Sequence, residues 1–209
     1  TLSENKQLLL VINGTTGSGK DTLIHLLEKN GIAENVQTAT NRPKRPREPA
    51  TNYRLMRQKK DSESAQEYYH NLVQEYDLIE HDLHAGNVYG LPRKNLKMSS
   101  AENPILIQNE PHGAKTLLNT LSFEYNVVVF FLVPDSWKTI LNRVKREGHQ
   151  RDKLIERLNY SHEQLSLSQD TTHFYVHSTT HPEQYGNPQK LNGINFLYES
   201  MAATIVKLI

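Results

Sequence analysis

The chain contains no cysteine. Disulfides, thiol nucleophiles and cysteine-ligated zinc are therefore excluded. It also lacks any apolar run approaching the roughly 20 residues that span a bilayer. Neither sign of charge is in excess: 24 Lys+Arg stand against 23 Asp+Glu. That balance gives no pull toward nucleic acid or an anionic membrane. The polar start, TLSENKQ, carries no basic-then-apolar signal pattern. Repeats, low-complexity segments and linkers between independent domains are missing too, and the ten histidines fall at no recurring metal-ligand spacing. What remains is a chain of 209 residues, 36% hydrophobic and 22% charged. That is enough apolar material for a core, in a length that suits one domain with an insertion. The expectation is a cytoplasmic protein, monomer or homodimer, with no nucleic-acid or membrane partner.

The order of elements is legible from periodicity. QLLLVI (7–12) is a continuous apolar run, as for a strand buried on both faces of a parallel sheet. A glycine-rich loop follows, and TLIHLLEK (22–29) then has helical spacing closed by Gly31. Three prolines and four basic residues within 42–49 forbid a helix interior or a central strand there. A short strand is expected at Tyr53–Met56, a helix over 62–72 capped by Ser62, and strand, loop and strand over 76–90. From Ile105 the alternation resumes: strand at 104–108, helix at 113–121, strand at 126–133, helices at 136–147 and 152–165, strand at 173–178, helix at 191–209. Alternating strands and helices predict an α/β protein with a central parallel sheet covered on both faces, interrupted by an insertion at 36–98.

Four stretches carry chemistry. GTTGSGKDT (14–22) nearly fits the phosphate-loop pattern G-x-x-x-x-G-K-[ST], between a strand and a helix as that loop requires. Gly14, Gly17 and Gly19 let backbone N–H groups turn inward, and Lys20 adds a charge able to reach outer phosphates. Asp21 stands where a magnesium-holding hydroxyl is usual, with Thr22 one residue later. RPKRPRE (42–48) reads alone as a solvated turn, or as cations on a stiff chain suited to a second phosphate. Glu80 precedes GNVYG (86–90); its carboxylate matches the paired N1–H and N2–H₂ donors of guanine, although alone it reads as a surface carboxylate and Tyr89 as a packing residue. Arg143, Arg146, Arg151 and Arg157 form either a solvated helix face or a cationic flap for phosphoryl transfer.

Together these stretches resemble guanylate kinases, in order, over nearly the whole chain. The family loop matches Gly14–Thr22. Its T-T-R-x-P-R-x-x-E resembles TNRPKRPRE (40–48), placing Arg42, Arg45 and Glu48. Its E-x-A-x-x-x-G-N-x-Y-G-T resembles EHDLHAGNVYGL (80–91), and its I-D-x-Q-G-A resembles NEPHGA (109–114), with Glu110 for the aspartate. VPDS (133–136), RVKREG (143–148) and LIERL (154–158) follow the family's later motifs.

The resemblance implies a three-layer P-loop NTPase fold with a core at 1–35, 99–142 and 158–209, a nucleoside-monophosphate-binding insertion at about 36–98 and a helical lid at about 143–157. It implies transfer of the γ-phosphoryl group of ATP to GMP or dGMP. ATP would lie on Gly14, Thr15, Thr16, Gly17, Ser18, Gly19, Lys20, Asp21 and Thr22. GMP would lie on Thr38, Arg42, Arg45, Glu48, Tyr53, Glu80, Tyr89, Gly90 and Glu110. Lys20, Arg45, Arg143, Arg146 and Arg157 would surround the moving group, with Mg2+ on Asp21 and Thr22. Another phosphorylated acceptor on the same fold, or a non-catalytic binding module, are the alternatives. Departures from the pattern are Asp21, Leu91 in place of a Ser/Thr donor to guanine O6, Glu147 where the flap arginine precedes glycine, and Ser178–Thr179 for an Asn–Asp pair near adenine. An unpaired buried acceptor costs roughly 1–3 kcal/mol, which would weaken guanine binding or shift the base preference.

Overall fold

The computed structural model describes residues 3, 5–15, 17–44, 53–84, 86–97, 103–134, 136, 138, 141–142 and 151–178. Every residue of strand β1 (Leu8–Gly14) is buried. Leu8, Leu10 and Ile12 face helix α1 (Lys20–Lys29), packing on its Leu23, Ile24 and Leu27. Leu9 and Val11 belong to the opposite cluster, with Ala114, Leu117 and Leu121. A strand sandwiched in this way needs apolar residues at every position, which is why its sequence runs rather than alternates. Each fully buried leucine contributes about 1.5–3 kcal/mol.

The main sheet is ordered β2 (Glu34–Asn35), β7 (Ile105–Gln108), β1, β8 (Asn126–Pro134), β9 (Phe174–Ser178), with every neighbouring pair parallel. Helix α4 (Pro111–Leu121) covers the face opposite α1. Helix α5 (Arg151–Leu167) packs against α4 and β1 and ends in a 3-10 turn at Ser168–Asp170. This is the α/β fold with a central parallel sheet that the alternation of elements predicted. Among the described residues no helix is long and apolar enough to cross a membrane.

Between β2 and β7 the chain builds a second sheet, ordered β4 (Tyr53–Leu55), β3 (Thr38–Thr40), β6 (Asn87–Pro92), β5 (Leu78–His84). Helix α2 (Ala65–Glu75) presses Tyr68 and Leu72 onto it, against Ala39, Met56, Leu78 and Val88. The short helix α3 (Arg93–Lys97) leads the chain back. Leu91 and Leu96 join the main core beside Val36 and Ile105, so the small sheet is stitched to the large one by shared apolar packing.

Two expectations are corrected. Helix α2 starts at Ala65 and is capped by Ser64, not Ser62. The Ser64 hydroxyl accepts from the Glu67 N–H at 3.2 Å, and the Glu67 carboxylate accepts from the Ser64 N–H at 2.9 Å. Ser62 has Ala65 three residues on and cannot close that box. Helix α4 starts at Pro111 rather than Gly113, because proline suits the first helical position, where no N–H is needed. The helices expected at 136–147 and 191–209 lie largely and wholly outside the described residues.

Candidate active site

The loop leaving β1 closes on itself. Gly14 abuts β8, and a Cβ there would stand 2.7 Å from the Leu132 carbonyl oxygen. Gly19 caps α1 with φ 97°, a left-handed conformation that favours glycine, and no side chain caps the helix. The first N–H groups of α1 thus lack a side-chain acceptor, which makes the helix start a place for an anion. The Lys20 ammonium donates to the carbonyls of Gly14 at 2.7 Å and Thr15 at 2.9 Å. Burial pulls its pKa below the ordinary lysine value, with the charges of Asp21 and Glu110 acting against that. Among the described residues, the buried Thr15 and Ser18 hydroxyls find no hydrogen-bond partner, nor does either side-chain amide atom of Asn13. Native proteins rarely leave such groups unsatisfied, so this cradle suits a polar ligand.

Across a small open cleft lies the second sheet. Asp21, exposed in the first turn of α1, lines that cleft with Asn35, Thr38, Tyr53 and Gln108. Thr22 is exposed. Thr38 pairs with Tyr53 in the parallel β3–β4 register, and Thr40 pairs with Tyr89 in the antiparallel β3–β6 register. The rings of Tyr53 and Tyr89 meet edge to face, 6.1 Å apart. The Arg42 guanidinium lies over Tyr53, 5.5 Å from the ring centre. One cation and two phenols therefore converge on one patch, a set suited to phosphate oxygens.

Arg42 is held there through its neighbour. The buried Asn41 amide donates to the Tyr68 hydroxyl at 3.0 Å and accepts from the Val88 N–H at 2.6 Å. The Asn41 carbonyl accepts from Gln58 at 2.8 Å. Asn41 thus ties β3 to β6, α2 and the loop after β4. Sequence reasoning passed it over, because each partner lies far along the chain.

Glu80 sits on β5, just past a register irregularity, and is 5% exposed. Burial pushes its carboxyl up to about 7; the Asn109 side chain beside it pulls the other way, while the charges of Asp82 and Glu110 push it further up. Two glycines make room. A Cβ on Gly90 would stand 2.7 Å from the Glu80 carbonyl oxygen, and one on Gly113 would collide with the Glu80 carboxylate. Leu91, opposite Glu80 in the β5–β6 register, is fully buried and offers the site no hydroxyl. Glu110 stands at the N-cap of α4 without capping it, and its carboxylate accepts from Tyr160 and Gln164 of α5. Nothing in the sequence marked Tyr160 or Gln164; the only available signal was their four-residue spacing.

Thr16, Arg45, Glu48, Arg143 and Arg146 lie outside the described residues, as do Glu147 and Thr179. Arg157 falls within α5 and Ser178 within β9, their side chains outside the described set. Among the described residues no group of three or more His, Asp or Glu side chains is arranged to hold a metal.

A guanylate kinase of Parasynechococcus marenigrum is 31% identical over 162 residues, covering 76% of this chain and 83% of that protein. The chain belongs to the guanylate kinase family. A guanylate kinase of Thermobifida fusca is 29% identical over 158 residues, covering 74% of this chain and 75% of that one. No family model matches the sequence. The crystal structure of guanylate kinase from Anaplasma phagocytophilum superposes with a TM-score of 0.59 at 18% identity, covering 99% of this chain and 86% of that one. At that identity the likeness supports the fold alone. The guanylate kinase relatives therefore carry the family assignment.

Proposed function

We propose that the protein transfers the γ-phosphoryl group of ATP to the phosphate of GMP or dGMP, giving ADP and the nucleoside diphosphate. The observation that carries this reading is the pair of sites on the two sides of the cleft: a loop with buried hydroxyls that lack partners among the described residues and a lysine on one, and the Arg42, Tyr53 and Tyr89 cluster with a buried Glu80 in the same small sheet on the other. ATP phosphates lie in the loop, where the α1 N-terminus, the Thr15 and Ser18 hydroxyls and Lys20 take up their charge. Lys20 exchanges its two loop carbonyls for phosphate oxygens. The acceptor phosphate lies on Arg42, Tyr53 and Tyr89, with Arg45 and Glu48 completing that side. The base lies on Glu80, whose ionised carboxylate accepts from guanine N1–H and N2–H₂. Thr38, Gly90 and Glu110 shape the same side.

Arg143, Arg146 and Arg157 supply further positive charge to the group in flight. No covalent intermediate is required, because the two nucleotides are held in line and the gain is positional and electrostatic. Mg2+ fits the site: Asp21 is an exposed hard oxygen ligand at the edge of the cleft, with Thr22 next to it. When bound, the ion offsets phosphate charge. On the same reading, the second sheet is the monophosphate-binding insertion and 143–157 is the lid.

The test is to incubate the protein with ATP, Mg2+ and GMP, dGMP, AMP, CMP or UMP, and to measure ADP release. Turnover with GMP or dGMP well above the other three supports the reading. Turnover with none of them sinks it.

A further inference from the structure

Asn109 sits where the large sheet, the start of α4 and strand β5 meet. Its backbone N–H donates to the Ile12 carbonyl at 3.1 Å, which fixes the residue just past β7 on the end of β1. Its side-chain Oδ1 accepts from the Glu110 N–H at 2.6 Å. That bond decides which way the amide faces, because only its oxygen end can take an N–H. The Nδ2 end is buried and makes no hydrogen bond of good geometry among the described residues.

The neighbour of this amide is Glu80. A Cβ on Gly113 would collide with both Asn109 Oδ1 and Glu80 Oε1, and would stand 2.7 Å from Asn109 Cγ. Amide and carboxyl therefore meet over one glycine. Glu80 is 5% exposed, and the charged groups that act on it are carboxylates: Asp82 on its own strand and Glu110 at the start of α4. Tyr160 of α5, bonded to Glu110, and Tyr69 of α2, bonded to His81, both have raised pKa values and stay neutral. Burial raises the Glu80 pKa, and only the Asn109 side chain pulls it the other way. A carboxyl that ionises with no cation beside it needs a donor to its charged form. As it ionises, it draws such a donor into a full, charge-assisted bond. Leu91, opposite Glu80, supplies no hydroxyl, so selectivity for a base with two adjacent N–H donors falls on the carboxylate and whatever holds it.

We propose that Asn109 is a positioning residue for base recognition: its amide, oriented by the Glu110 N–H, donates to one Glu80 oxygen and holds the carboxylate ready for the base. This rests on the reading that Glu80 binds the base.

The experiment measures GMP affinity by equilibrium dialysis, with KM for GMP and for ATP, from pH 6 to pH 9. It compares the wild type, N109A, N109D, E80Q, and N109A on the E80Q background. N109D keeps the size of the side chain and an acceptor for the Glu110 N–H, so it serves if N109A fails to fold. Loss of a hydrogen bond to a charged group is expected to weaken GMP binding at pH 7 about tenfold or more in each variant. N109D loses more, because it adds a further carboxylate beside Glu80. KM for ATP changes by much less. In N109A the fall of KM for GMP with rising pH moves up by about one pH unit or more, so the deficit narrows toward pH 9. On the E80Q background no carboxylate ionises at that position, and N109A changes GMP affinity far less than it does in the wild type. Unchanged GMP affinity, equal losses of GMP and ATP binding, a deficit that is the same at every pH, or an undiminished loss on the E80Q background would overturn the inference. A wild type and an E80Q variant that bind GMP equally overturn the base reading itself.

Discussion

Lys20 and Glu80 are both ionisable groups drawn out of water, one on each side of the cleft, and they are held in opposite ways. Lys20 is satisfied by its own loop, through the carbonyls of Gly14 and Thr15, while burial lowers its pKa. Glu80 lies under the α4 start with two other carboxylates close enough to raise its pKa and only Asn109 opposing them. The donor side thus gives Lys20 backbone partners that a phosphate would displace. The acceptor side leaves Glu80 with a raised pKa of about 7, and a base with two adjacent N–H donors would favour its charged form. One site is pre-paired and the other is under-paired, and the difference follows from which element supplies the neighbours.

The largest effect is expected at Lys20. Lys20→Met keeps the length of the side chain and removes the charge, and kcat should fall about a hundred- to a thousandfold, as for loss of one preorganised transition-state donor. Steady-state kinetics with far-UV circular dichroism as a folding control measures it. A fall of only a few-fold would mean that the loop holds ATP without serving the transfer.

Glu80→Gln comes next. It removes a charge-assisted acceptor pair worth about 1.5–3 kcal/mol per bond, so kcat/KM for GMP should fall at least about tenfold. The same substitution should raise the melting temperature at pH 8 and leave it unchanged near pH 4.5. The folded pKa, about 7, lies above the ordinary 4.5. Between those values the folded state binds more protons than the unfolded one, so Glu80 lowers stability as pH rises through that window. Calorimetry at the two pH values sets the sign, and a melting temperature lowered by Glu80→Gln at pH 8 would show Glu80 to be paired rather than under-paired.

Wild-type kinetics gives a gentler test of the same contrast. Only the ionised carboxylate accepts both guanine donors, so KM for GMP should fall severalfold as pH rises from 6 to 8. KM for ATP is expected to change less across that range. Parallel curves for the two substrates would erase the distinction drawn between the sites.

The smallest effects are structural. Asn41→Ala leaves the buried Val88 N–H without its side-chain acceptor, at a cost of about 1–3 kcal/mol, and loosens the strand that carries Arg42. Ser64→Ala opens the capping box of α2 and should cost about 1 kcal/mol with no change in KM. Urea denaturation measures both.

The donor side was legible in the sequence because its parts are contiguous. Nine residues across the junction of a strand and a helix specify the loop, and the apolar run before them specifies a strand buried on both faces. The acceptor side was legible only as residue types. Glu80 was recognisable as a carboxylate before GNVYG, but its burial depends on Gly90 of β6 and on Gly113 and Asn109 at the start of α4. No local pattern encodes that meeting. Ser64 won over Ser62 through one glutamate three residues on, a difference of two positions that helical periodicity does not resolve. Tyr160 and Gln164 escaped notice because polar residues on a helix read as its wet face. Here they turn inward to a carboxylate fifty and fifty-four residues away.

The most direct measurement is to follow the label from γ-labelled ATP, with Mg2+, into an equimolar mixture of GMP and AMP at pH 8. The account predicts label in GDP, with little in ADP or inorganic phosphate. Label appearing chiefly in ADP, or only in inorganic phosphate, would contradict it.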